Sequence, residues 1–158
     1  MEPKEMPSRR VRLEDIMRPA VSVTPDAPAR AVLKILSENR MPGVAVIDAD
    51  GYLLGFVSDG HLLASALPKY LAAMEDVSFV RESGDAWVHY LAESADRPVS
   101  EVMSTEVSSV ELGKSEVAVA HKMVHDGASS VMVTENGKLV GIGTRLDLYA
   151  AVMGIEVE

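Results

Sequence analysis

The chain has 158 residues, of which 47% are apolar and 25% charged, and a formal net charge of −9. That composition is globular. The acidic balance argues against a non-specific DNA or RNA binder, which needs clustered Lys and Arg to displace counterions, and against attraction to an anionic lipid surface. The absence of cysteine excludes disulfides, thiolate metal sites and cysteine catalysis, and no apolar stretch has the length of a membrane span or a signal-peptide core. A cytoplasmic location without membrane insertion is expected.

In chain order, Val21-Ser22-Val23 predicts a short extended segment. Asp26 and Pro28 open a helix, with Asp26 as N-cap and Pro28 in the first turn. Ala31, Val32, Ile35 and Leu36 follow at helical spacing, and Asn39 to Gly43 ends the helix. Val44-Ala45-Val46-Ile47 predicts a buried strand, Asp48-Ala49-Asp50-Gly51 a hairpin turn, and Tyr52 to Val57 the returning strand. Ser58 starts the next helix. An insert follows, with a polar break from Val80 to Asp85 and a helix from Ala86 to Glu93. Trp87, the only tryptophan, packs this insert onto the rest, or else caps a ligand cleft or a partner groove. Val107 to Val110 is a second short strand, and Val117, Ala118, Ala120, Met123 and Val124 mark a helix. Val131-Met132-Val133, the Glu135-Asn136-Gly137 turn, Leu139 to Gly143 and a helix opened by Thr144 complete the chain.

The second half restates the first. Gly55-Phe56-Val57-Ser58-Asp59-Gly60-His61 returns 86 residues later as Gly141-Ile142-Gly143-Thr144-Arg145-Leu146-Asp147, and Asp15-Ile16-Met17 returns as Glu101-Val102-Met103. The offset is 87 at the buried strands (Val44 and Val131), so the gaps fall in loops. A self-similar period fixes architecture before any single residue is interpreted. Two copies are too few for a solenoid, and each reads strand, helix, strand, strand, helix. Two such units packed sheet to sheet, with pseudo-two-fold symmetry, bury what one cannot. The expected divisions are 11–67, an insert at 68–97, and 98–153, in a mixed α/β (α+β) fold.

These residues carry a resemblance. Asp15-Ile16-Met17, the Pro42 to Asp48 strand, the Asp50-Gly51 turn and the doubled Gly-x-x-Ser/Thr-x-x-Asp junction resemble the CBS-domain pair, the Bateman module named for cystathionine β-synthase. The resemblance implies a non-catalytic regulatory module. Its implied ligands are adenine nucleotides (AMP, ADP, ATP) or S-adenosylmethionine, bound in a cleft between the repeats. It also implies a homodimer and an effector protein that receives the signal. Carried over residue by residue, the primary site holds Thr144, Arg145 and Asp147, completed by Ile16, Val21, Met41, Pro42 and Gly43. Ile16 and its neighbours would surround an adenine ring, although Val21 and Met41 read equally as core.

The chemistry of that junction has two readings. A helix start offers unpaired amides and the positive end of a dipole, so phosphate fits there. Asp147 has acceptors to match a ribose diol, Thr144 can donate to phosphate or sugar, and Arg145 can neutralise phosphate. Thr-x-x-Asp is also a capping box, and the two roles are compatible. The second, weaker site holds Ser58 and His61 with Val102, Val107, Ala128, Ser129 and Ser130. There His61 replaces the aspartate and offers a single acceptor; it reads as a boundary histidine, or as a source of pH sensitivity. His121 and His125 share a helix face, but no third ligand is evident and no metal site is expected. No Walker loop or nucleophile elbow is present. The rival readings are a structural dimerisation module with no ligand, and a regulatory fragment of a larger enzyme or transporter. A repeat pair beginning at Met1 favours a free-standing protein.

Overall fold

The computed structural model describes residues 11–78 and 85–154, with the backbone alone for 85–87. The polar break before Asp85 and the Trp87 side chain therefore lie outside the described residues. The chain enters through one helical turn, α1 (Leu13–Ile16), and a two-residue strand, β1 (Met17–Arg18). Neither is long enough to leave a periodic signature in sequence. The first repeat then runs β2 (Ser22–Val23), α2 (Ala29–Asn39), β3 (Gly43–Ile47), β4 (Leu53–Ser58) and α3 (Asp59–Ala66). The insert contributes α4 (Lys69–Ala72) and α5 (Asp85–Ser94), and a 3-10 turn covers Val99–Glu101. The second repeat runs β5 (Ser109–Glu111), α6 (Glu116–Asp126), β6 (Ser130–Glu135), β7 (Lys138–Thr144) and α7 (Arg145–Met153).

The two repeats share one internal topology. β2 lies parallel to β3, which returns as the antiparallel β4; β5 lies parallel to β6, which returns as β7. The α2 start corrects one expectation. Asp26 does not cap this helix; its carboxylate accepts from Thr24 Oγ1 at 2.6 Å, and Pro28 holds the N-cap position without a side-chain bond. The first two amides of α2, those of Ala29 and Arg30, instead donate to the carbonyls of Arg97 and Ala95 at 2.9 Å each. Helix α6 is capped in the ordinary way, Ser115 Oγ accepting from Ala118 N at 3.2 Å.

The chain divides into two compact units, Val21–Glu106 and a composite of Met1–Ala20 with Val107–Glu158. Repeats and units are therefore different stretches of chain, because each leader joins the sheet of the other repeat. In the composite unit β1 pairs antiparallel with β7, Met17 opposite Gly143 and Arg18 opposite Ile142, giving the strand order β1-β7-β6-β5. In the continuous unit Ser104 bridges Phe56 of β4, each amide donating to the other's carbonyl at 2.9 Å. Equivalent glycines admit these crossings: a Cβ on Gly141 would stand 2.9 Å from the Arg18 carbonyl oxygen, and one on Gly55 2.8 Å from that of Ser104.

Each unit has its own core. Val32, Val44, Val46, Val57, Val99 and Val102 form that of the continuous unit, and Leu13, Ile16, Val119, Met123, Val131 and Val133 that of the composite one. Valine dominates the first and shares the second with Leu13, Ile16 and Met123, so aliphatic side chains fill both in a chain with 4% aromatics.

Candidate functional site

In the composite unit, β7 turns into α7 at Thr144. The Thr144 hydroxyl accepts from Asp147 N at 3.1 Å, and the Asp147 carboxylate answers through Oδ2, taking Thr144 N at 3.2 Å and Thr144 Oγ1 at 2.8 Å. The Thr-x-x-Asp spacing thus builds a reciprocal cap. A surface cap needs nothing more, but Asp147 is only 7% exposed and a buried carboxylate needs a cation. Arg18 supplies it from β1, with Nε 2.8 Å and Nη2 2.5 Å from Oδ1. Arg18 is the residue that sequence reading missed. Nothing in local spacing joins positions 129 apart; the signal was that an acid in an apolar helix start requires a partner.

Ser130 stands opposite Thr144 across the sheet, and the first amide of α7, that of Arg145, donates to Ser129 O at 3.2 Å. Ser129 and Ser130 are therefore neighbours of the Thr144 junction, with Val107 and Ala128 in the same unit. The Arg145 side chain is exposed. Ile16 is core, 2% exposed among Leu13, Val119 and Val131.

In the continuous unit, Ser58 caps α3 in the same reciprocal way. Ser58 Oγ accepts from His61 N at 3.2 Å, and Ser58 N donates to His61 Nδ1 at 3.0 Å. The imidazole thus fills the acceptor position that a carboxylate fills in α7, which requires Nδ1 without a proton. Gly43 lies opposite Ser58 and under the Phe56 ring, leaving no space for a side chain. Met41 is half-buried, Pro42 exposed, and the Val21 carbonyl accepts from Ala45 N at 3.2 Å. Val102 is core. The primary set thus falls in both units, with Ile16, Thr144, Arg145 and Asp147 in one and Val21, Met41, Pro42 and Gly43 in the other. The secondary set divides likewise, Ser58, His61 and Val102 from Val107, Ala128, Ser129 and Ser130.

The rings of His121 and His125 stack with centroids 5.8 Å apart on exposed helix. Among the described residues no three His, Asp or Glu side chains gather as a metal site, and no helix is long and apolar enough to cross a membrane.

The family described as CBS domain matches residues 13–67 and 99–154. An uncharacterised protein of Methanocaldococcus jannaschii is 23% identical, over 89% of this chain and 90% of its own. Among solved structures, the CBS domain of a CBS-domain-containing membrane protein from Sphaerobacter thermophilus is 28% identical with a TM-score of 0.70, covering 90% of this chain and 88% of that one. CBSX2, solved in complex with AMP, has a TM-score of 0.68 at 22% identity, covering 90% of this chain and 96% of its own; the likeness there is one of fold.

Proposed function

This chain belongs to the CBS-domain family, its matched repeats spanning most of its length, and we propose that it is a non-catalytic regulatory module of the cytoplasm that binds an adenosine-containing ligand. The observation that carries this reading is the buried Asp147 carboxylate, braced by both Thr144 and Arg18 at the start of α7. A helix cap alone requires neither that burial nor the guanidinium. The AMP complex of a fold relative favours a nucleotide over S-adenosylmethionine. Asp147 takes the ribose diol, and Arg145 with Thr144 faces the phosphate. Val21, Met41, Pro42 and Gly43 belong to the same proposal as the residues around the base. Binding shifts the protein between two conformations by its differential affinity for them, and an effector protein reads the result. The proposed assembly is a homodimer; Leu146, Tyr149 and Met153, all more than 60% exposed along α7, give it apolar surface to bury.

Calorimetric titration of the full chain with AMP, ATP and S-adenosylmethionine tests the reading. Saturable binding of a nucleotide is expected, weakened at least about tenfold in Asp147→Ala and less than about twofold in His61→Ala, as the loss of a charged hydrogen-bond acceptor implies. Equal losses in the two variants, or none in the first, would overturn the site. The rival reading, a dimerisation module whose junction is only a cap, draws on the reciprocal bonds of Thr144 and Asp147. Flat titrations with an unchanged melting temperature would establish it, because a ligand that binds only the fold stabilises it.

A further inference from the structure

The Asp147 carboxylate has no lone pair to spare. A carboxylate offers about four acceptor positions. Arg18 Nε and Nη2 take those of Oδ1, and Thr144 N and Oγ1 those of Oδ2. A ribose diol needs two of them, so some donor must leave. The Thr144 donors belong to the turn that starts α7, and the same hydroxyl receives Asp147 N. Displacing them opens the reciprocal half of the capping box. Arg18 is held differently. Its side chain is 47% exposed where its partner is 7% exposed, and it stands on a long flexible stem that can swing without moving backbone.

Resting on the adenosyl-ligand reading above, we propose that Arg18 is the donor the ribose displaces, and that its guanidinium then pairs with the phosphate of the same ligand. Arg18 thereby sets specificity for phosphorylated over unphosphorylated adenosyl ligands. Two of the first three amides of α7 are already engaged, Arg145 N with Ser129 O and Asp147 N with Thr144 Oγ1, so most of the phosphate charge falls to side chains. In a chain of net charge −9 the overall field does not draw an anion in. A phosphate replaces the anion Arg18 gives up, and its oxygens match the guanidinium fork. Adenosine takes the carboxylate and leaves the guanidinium with water alone. S-adenosylmethionine puts a sulfonium where AMP has its phosphate ester and carries its carboxylate three carbons further out. The other junction has no such exchange: the position equivalent to Arg18 is Ser104, which bridges Phe56, and the position of the acid is His61.

Calorimetry of the full chain with AMP and with adenosine tests this, using wild type, Arg18→Met and Arg18→Lys. In wild type AMP is expected to bind at least about tenfold tighter than adenosine, the scale of one charge-assisted pair. In Arg18→Met the two are expected to come within about threefold, with adenosine strengthened because its competitor is gone. Arg18→Lys keeps a cation beside the buried carboxylate, and so the fold, but lacks the fork; its ratio is expected to lie between the two. AMP binding with an unchanged ratio in Arg18→Lys overturns the role of Arg18 and leaves the adenosyl site standing. Wild type that binds neither ligand overturns both. The wild-type protein gives a second readout by NMR: the Arg18 Nε–H signal is expected to move and stay protected from water with AMP, and to lose protection with adenosine. An Arg18 signal indifferent to saturating AMP overturns the proposal whatever the variants do.

Discussion

Asp126 sits at the C-terminal end of α6, where the helix dipole disfavours a negative charge. It is nonetheless held ionised. The Ser108 hydroxyl, donating to Oδ2 at 2.8 Å, is the largest influence, followed by His125, and together with Lys122 they hold the carboxyl at about 2 against an ordinary 3.8. A folded-state value below the unfolded one contributes stability that is complete above 3.8 and is lost as pH falls towards 2. Ser108→Ala is therefore expected to unfold at lower urea than wild type at pH 7, with the gap closing as pH approaches 2; a gap independent of pH would refute this. The residue scale is also where sequence reading was uneven. Thr144, Asp147 and Ser58 were legible because a cap is written within four consecutive residues. Ser108 with Asp126, and Arg18 with Asp147, were not, because each pair is joined only by the way strands lie beside helices.

Helices α2 and α6 occupy equivalent places and end in the same left-handed conformation, yet with different residues. Arg40 holds φ 49° at the end of α2, and Gly127 holds φ 64° at the end of α6. A side chain there costs about 1–2 kcal/mol that glycine avoids, less the greater freedom glycine has when unfolded. Arg40→Gly is expected to stabilise the protein by about 0.5–1 kcal/mol, and Gly127→Ala to destabilise it by a similar amount. Shifts of the urea midpoint in the same direction for both would contradict the argument. The hairpins show the same division of means. Asp48 Oδ1 accepts the amides of Asp50 and Tyr52 within its own turn, whereas the second turn is held by Glu111 of β5, which accepts from Asn136 N and Gly137 N. The Gly137 amide is the main reason the Glu111 carboxyl lies below its ordinary range. Within the repeats, strand and helix order was legible from periodicity and turn residues, whereas α1, β1 and α4 were too short to read. The start of α2 was misread because its amides are satisfied by Ala95 and Arg97, far along the chain, and no local pattern records that.

At the scale of the molecule, the repeat was plain in sequence but the crossing of the leaders was not, since β1 has two residues and the Ser104 contact is a single bridge. The crossing makes a prediction about fragments. Residues 21–106 are continuous and contain their own core, whereas 107–154 lack the α1 and β1 residues that supply Leu13, Ile16 and the Arg18 partner of Asp147. Expressed separately, 21–106 is expected to give a dispersed NMR spectrum, and 107–154 to give one only when a peptide of residues 11–20 is added. A 107–154 fragment equally folded with and without the peptide would refute this. The same arrangement bears on descent. A gene with one copy would have encoded a sheet missing its rim, completed only by the matching segment of a twin molecule. With two copies in one polypeptide that loan is internal, and neither repeat can lose its leader without stripping the sheet of the other.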